Sequence, residues 1–297
     1  MSAPWLIVVA SFLFATMGVC VKLASAEYAS GEIVFYRGVT GALMMLALIR
    51  WRGGTLRTGV ASMHFWRCTS GVTALSLWFY SIGNLPLATA MTLNYMSSVW
   101  MALFLVGGAV ALGSARVDGR LIATVLLGFA GVALILRPTI AQQQLWYGLM
   151  GLLSGIIAAT AYLQVTALGR VGEPEYRIVF YFSIGGICAG ALSLPWTGGL
   201  HAHSVKGAAL LIAVGVLATT GQFMMTRAYS TGRTLVNASL QYLGIAFSFA
   251  YGVLLFGDVV TPMALLGMAL IVGAGLSATL LSRRSAAPDT INPALET

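Results

Sequence analysis

Ile33-Val34-Phe35-Tyr36 recurs as Ile178-Val179-Phe180-Tyr181, and the 145-residue interval is close to half of a 297-residue chain. The echo extends beyond this tetrapeptide. Ala15-Thr16 matches Ala159-Thr160 at an offset of 144, Asn94-Tyr95 matches Gln241-Tyr242 at 147, and Gly131 matches Gly275 at 144. An internal duplication in an almost wholly apolar chain is the pattern of membrane transporters assembled from repeats.

With 59% hydrophobic and only 8% charged residues, the chain departs from the balance of a water-soluble globule and reads as a bilayer protein. Apolar stretches of about 20 residues, which at ~1.5 Å per residue cross a ~30 Å hydrocarbon core, fit ten times. The first half gives Pro4 to Ala24, Gly31 to Ile49, Trp66 to Gly83, Leu87 to Gly108 and Leu121 to Leu136. The second gives Leu145 to Leu168, Ile178 to Pro195, Ala208 to Tyr229, Leu235 to Phe256 and Met263 to Leu281. The runs are continuously apolar and lack the alternation of barrel strands, so the expected fold is all-α. Residues 1–140 and 141–284 form two five-helix repeats, and 285–297 a disordered cytoplasmic tail.

Five spans per repeat is an odd number, so the second copy starts on the other side of the membrane and the repeat is inverted. With the N-terminus inside, twelve of the sixteen lysines and arginines fall on the inner side. Lys22, Arg37, Arg137 and Lys206 are the outer four. Basic loops are retained in the cytoplasm, so both termini are expected there, with the protein in a bacterial inner membrane. The same loops account for the net charge of +8 without a nucleic-acid partner. Ala24-Ser25-Ala26 has the form of a signal cleavage site. The first span is nonetheless expected to stay, because it has a counterpart around Ala159-Thr160.

No cofactor or metal is expected. Cys20, Cys68 and Cys188 show no ligand spacing, and His201-x-His203 has no carboxylate or thiol beside it in sequence to complete a site. Walker, nucleophile-elbow and kinase patterns are absent from the sequence, which argues against an enzyme and against ATP hydrolysis. All six prolines before the tail fall at span ends, which predicts unbroken helices. Gly151 to Gly155 and Gly186 to Gly190 are small-residue faces for helix packing, within one bundle or in a homodimer.

In the first half Lys22 closes a span and Arg37 lies one to two turns into the next. The second half has Gly221-Gln222 through Ala228-Tyr229, Leu254-Leu255-Phe256-Gly257-Asp258, and Leu265-Leu266-Gly267 with Leu270 to Gly273. On these residues each half resembles the EamA-type domain of the drug/metabolite transporter superfamily. The chain departs from that pattern at Gly113-Ser114, where a Gly-Glu pair is common, and lacks a proline in the middle of its fourth and ninth spans. The resemblance implies a secondary transporter, commonly an exporter of amino acids or related metabolites, with a central cavity reached alternately from each side.

Polar residues at membrane depth are costly in lipid and face a cavity or another helix. Asn94 and Gln241 each lie about seven residues into their spans, ~10 Å deep and either side of the midplane, and each precedes a tyrosine, Tyr95 and Tyr242. The inverted repeat would bring the two pairs to facing walls of one cavity, or they tie helices together. Trp78, Tyr80, Tyr162, Gln164 and Gln222 are further candidates for the lining. Arg37 is the cation inside a span, available to a substrate carboxylate, to Glu32 or to the interface. Arg67 and Arg227 read as anchors at the cytoplasmic interface. Glu32 is the only acidic residue approaching a span interior; it is expected to sit in water at a span mouth and not to carry protons. Without a deep carboxylate, a neutral, zwitterionic or anionic metabolite such as an amino acid fits better than a cationic drug. Transport of a nucleoside, vitamin or drug, and a non-transporting receptor or scaffold, are the alternative readings.

Overall fold

The computed structural model describes residues 2–111, 123, 126–128, 130, 131, 134, 144–232, 234–259 and 261–285, and every described element is helical. In the first half these are α1 (Ala3–Ala24), α2 (Ser30–Arg52), α3 (Ala61–Asn84), α4 (Leu87–Tyr95) and α5 (Ser97–Ala111). In the second they are α6 (Leu145–Arg170), α7 (Glu175–Ser193) with a 3-10 turn over Leu194–Trp196, α8 (Val205–Thr231), α9 (Thr234–Leu240), α10 (Leu243–Phe256) and α11 (Pro262–Ser285). The expected fifth span, Leu121 to Leu136, and the tail beyond Ser285 lie outside the described residues or largely so. Prolines start or end elements where a lost amide costs little: Pro4 is in the first turn of α1, Pro86 and Pro174 cap α4 and α7, and Pro262 opens α11.

Six described segments are long and apolar enough to cross a membrane: α1, α2, α6, α7 with its 3-10 turn, α8, and Val236–Phe256 across α9 and α10. Large apolar side chains such as Leu43, Leu192 and Leu254 point outward, as lipid in place of water allows.

The most extensive packing couples the halves. α2 lies along α7, α3 along α6, and α1 along α8. Glycine permits the α2–α7 approach: a Cβ at Gly38 would come 2.7 Å from the Ser183 carbonyl, and one at Gly190 would come 2.7 Å from Phe35 Cα. Both small-residue faces singled out in the sequence contribute within the chain, since Gly155 likewise abuts the backbone of α4.

The prediction of unbroken helices is corrected by the fourth and ninth spans. α4 stops at Tyr95 and α5 begins at Ser97; α9 stops at Leu240 and α10 begins at Leu243. No proline is involved. The amides of Val99 and Trp100 converge on the Met96 carbonyl at 2.9 and 3.1 Å. Those of Gly244 and Ile245 reach back three residues to Gln241 and Tyr242 at 2.9 and 3.0 Å. A tightening from four- to three-residue spacing interrupts each helix, as 3-10 turns inside long helices do at hinges. Both interruptions fall on the repeated amide-tyrosine pairs.

The ends of the α2–α7 pair are tied crosswise. At one end Tyr36 Oη lies 2.7 Å from His203 Nε2, and the Glu32 carboxylate accepts from the His201 amide at 3.2 Å and pairs with its Nδ1 at 2.7 Å. At the other end Tyr181 Oη donates to the Leu56 carbonyl at 2.9 Å and Arg177 Nη2 donates to the Thr55 carbonyl at 3.0 Å. Tyr36 and Tyr181 hold equivalent places in the repeated tetrapeptide, and each secures a loop of the other half. Beside Arg177, Glu173 takes hydrogen bonds from Thr58 (2.9 Å), His64 (3.1 Å) and Arg177 (3.0 and 3.1 Å). Burial opposes its charge, but these bonds prevail and hold the carboxyl below its ordinary value.

Candidate functional site

Between the halves lies a cavity whose walls include residues of α1, α2, α3, α4, α6, α7 and α8 together with the α9–α10 break. The break in α4–α5 sets one wall. Asn94 and Tyr95 are the last residues of α4, and Gly155 of α6 presses against them, with a Cβ there falling 2.7 Å from the Leu93 carbonyl and 2.9 Å from that of Asn94. Gln241, in the other break, lines the same cavity. Both amides are buried, at 3% and 4% exposure.

Their bonding differs. Asn94 Nδ2 donates to Ser154 Oγ of α6 at 2.9 Å, whereas Gln241 Oε1 has no partner among the described residues. Gln222 makes only a 3.5 Å contact to Thr226 Oγ1, at the limit of a hydrogen bond. The Tyr95 hydroxyl and Trp78 Nε1 are buried and unpartnered as well. Tyr162 also lines the space and stacks on Tyr229, with rings 5.5 Å apart and within 3° of parallel.

Arg37 lines the same cavity, and so does Arg67. Both are deeply buried, at 3% and 2% exposure. Their guanidinium carbons lie 5.0 and 4.3 Å from the centroid of the Phe182 ring. Arg37 Nε and Arg67 Nε and Nη1 lack hydrogen-bond partners, and no salt bridge among the described residues includes either side chain. Burying a cation without a counter-ion costs several kcal/mol, of which a cation–π contact returns about 0.5 to 2. Among the described residues no carboxylate lines the cavity. The space itself admits water centres over about 50 Å³, far below the ~300 to 1,000 Å³ of a typical ligand pocket.

Several expectations change position. Arg67, read from sequence as an interface anchor, is a cavity residue: α3 begins at Ala61 and not at Trp66, which carries residue 67 more than a turn deeper. Tyr80, Gln164 and Tyr242 do not line this cavity. Tyr80 packs on Tyr147 with rings 5.4 Å apart, Gln164 accepts from Ser70 Oγ at 2.7 Å, and Tyr242 is buried in the apolar core. Glu32 is 0% exposed and satisfied by His201 rather than by water, away from the cavity lining. Phe182, missed in the sequence, is the repeat equivalent of Arg37: each directly follows Ile-Val-Phe-Tyr. That offset was its available signal. Lys22 serves structure instead, donating to the Leu85 carbonyl at 2.6 Å with its ammonium 5.2 Å from the Phe256 centroid.

Residues 1–137 match the EamA-like transporter family. The pseudopaline exporter CntI of Pseudomonas aeruginosa (strain UCBPP-PA14) is 33% identical over 271 residues, covering 91% of this chain and 93% of that protein. A riboflavin transporter of Rhizobium johnstonii is 24% identical over 277 residues, covering 92% of this chain and 89% of its own. One solved crystal structure superposes with a TM-score of 0.70 at 17% identity, over 96% of this chain and 99% of that one. The chain belongs to the EamA-like transporter family. Family and apolar helices together make it an integral membrane protein with a transporter role.

Proposed function

We propose that this protein is a secondary transporter that exports small metabolites of the amino-acid class by alternating access, through ten spans arranged as an inverted repeat with both termini cytoplasmic. The observation that carries the reading is the coincidence of Asn94-Tyr95 and Gln241-Tyr242 with two helix interruptions bordering one cavity. A rigid binding protein has no need of a paired break beside its ligand. A transporter that must open first to one side and then to the other does. The crosswise packing of α1 on α8 and α3 on α6 supports the repeat. The names of relatives, one an exporter of pseudopaline and one a transporter of riboflavin, support small metabolites as cargo. Because Glu32 is engaged by His201 and no carboxylate among the described residues lines the cavity, the preferred mechanism is facilitated flux without a proton carrier.

The test is flux into and out of proteoliposomes containing only this chain, with a panel of labelled amino acids and with or without a pH gradient. Saturable flux of one class, unchanged by the gradient, is expected. Binding without flux would make the protein a receptor, and flux of nucleosides or cationic drugs alone would reassign the cargo.

A further inference from the structure

Arg37 and Arg67 project from different helices onto one ring, that of Phe182, so their guanidinium carbons can be no farther apart than the sum of 5.0 and 4.3 Å. No salt bridge among the described residues neutralises either of them. Among the described residues, their Nε groups and Arg67 Nη1 are buried without acceptors, and the cavity they border is lined by amides, hydroxyls and aromatic faces but no carboxylate. A zwitterion with one carboxylate and one ammonium brings no net negative charge to this site. One guanidinium would remain uncompensated, and the ammonium would enter a field of like sign.

We propose that the cargo is a dianion carrying two carboxylates, one for each guanidinium, with its remaining polar groups directed to Asn94 and Gln241. This departs from the amino-acid cargo of the proposed function and rests on that function for the step of transport, although not for binding. Guanidinium forks match carboxylates in a bidentate geometry. Two carboxylates on one carbon chain give each fork its own partner, where one compact phosphate would have to be shared between two guanidiniums that reach the ring from different helices. Gly71 reinforces the arrangement: it stands one turn from Arg67 on α3, and a Cβ there would overlap Arg67 Nη1. A bare glycine leaves that guanidinium room to lie along its own helix.

The experiment is isothermal titration of the purified full chain in detergent with glutarate, succinate and L-glutamate, against butyrate, L-leucine and inorganic phosphate. Glutarate or succinate should bind at least about tenfold more tightly than butyrate. Arg37→Gln and Arg67→Gln should each bring that ratio close to one, while Arg67→Lys, which keeps the charge and loses the fork, should retain part of it. Equal affinity for glutarate and butyrate in the parent, tighter binding of phosphate than of any dicarboxylate, or no dicarboxylate binding at millimolar concentration overturns the proposal. The comparison in the parent requires no variant to fold. Flux of L-leucine without dicarboxylate binding would sink the dianion site and leave transport standing; dicarboxylate preference without flux would do the reverse.

Discussion

Arg37 and Phe182 occupy the same position after the repeated Ile-Val-Phe-Tyr, one in each half, and the guanidinium of the first lies 5.0 Å from the ring centroid of the second. Two positions that match in the repeated sequence form a complementary pair in the cavity lining. Arg67 uses the same ring at 4.3 Å, so Phe182 supports both cations of the cavity. Phe182→Leu keeps apolar bulk and removes the aromatic face, at a cost of about 0.5 to 2 kcal/mol for each contact. Thermal unfolding in detergent should shift downward, and ligand affinity should fall with it. Unchanged affinity would mean that the ring does not hold the arginines in their binding positions.

Asn94 and Gln241 both bond to α6: Asn94 Nδ2 donates to Ser154 Oγ at 2.9 Å, and the Gln241 side chain hydrogen-bonds Tyr162 while its Oε1 has no partner among the described residues. Asn94→Ala should cost stability as well as binding. Gln241→Ala, which removes the bond to Tyr162 together with an unpartnered Oε1, should cost less thermal stability than Asn94→Ala. If each amide contributes about 1 to 3 kcal/mol to a buried polar ligand, either substitution raises the half-saturation concentration roughly five- to a hundredfold where that constant tracks binding. Loss of stability with unaltered substrate dependence in both would assign the pair to helix packing alone.

Gly155→Ala tests the seat of the α4–α5 break. Its Cβ would meet the backbone carbonyls of Leu93 and Asn94 at 2.7 and 2.9 Å, and backbone cannot swing aside as a side chain can. Overpacking of this kind costs about 1 to 3 kcal/mol, and α6 should be pushed from the break. Wild-type stability and flux in this variant would show that α6 need not approach so closely.

The Glu173 cluster supplies a pH dependence. Its carboxyl is held below its ordinary value against the effect of burial, by Thr58, His64 and Arg177. Protonation is therefore less favourable in the folded state than in the unfolded chain. The stability it contributes is present above the unfolded value, about 4.3, and is lost as pH falls from there through the lower folded value. Parent and Glu173→Gln should thus differ in melting temperature at neutral pH and converge in acid. A difference independent of pH would assign the effect to packing.

Much of the fold was legible because apolar length and proline placement act locally: α1, α2, α6 and α8 each lie within a few residues of their expected bounds. The helix breaks were not legible, since a three-residue tightening at Met96 or Gln241 leaves no proline to mark it. The cavity lining was legible at Asn94, Tyr95 and Gln241, where the sequence repeats an amide-tyrosine pair. Arg67 escaped because charge near an expected span end reads as an anchor, and a start of α3 at Ala61 reverses that reading. Tyr80, Gln164 and Tyr242 were placed at membrane depth by spacing, but which helix face meets the cavity depends on packing that spacing does not encode.

Alternating access through the central cavity is tested most directly by one cysteine at the Gln241 position, in a background with Cys20, Cys68 and Cys188 replaced by serine. Impermeant thiol reagents are applied to right-side-out and inside-out vesicles, with and without glutarate. Labelling from both sides, slowed by glutarate on each, is the predicted result. Labelling from one side only, or labelling indifferent to glutarate, would contradict a single cavity opened in turn to the two faces of the membrane.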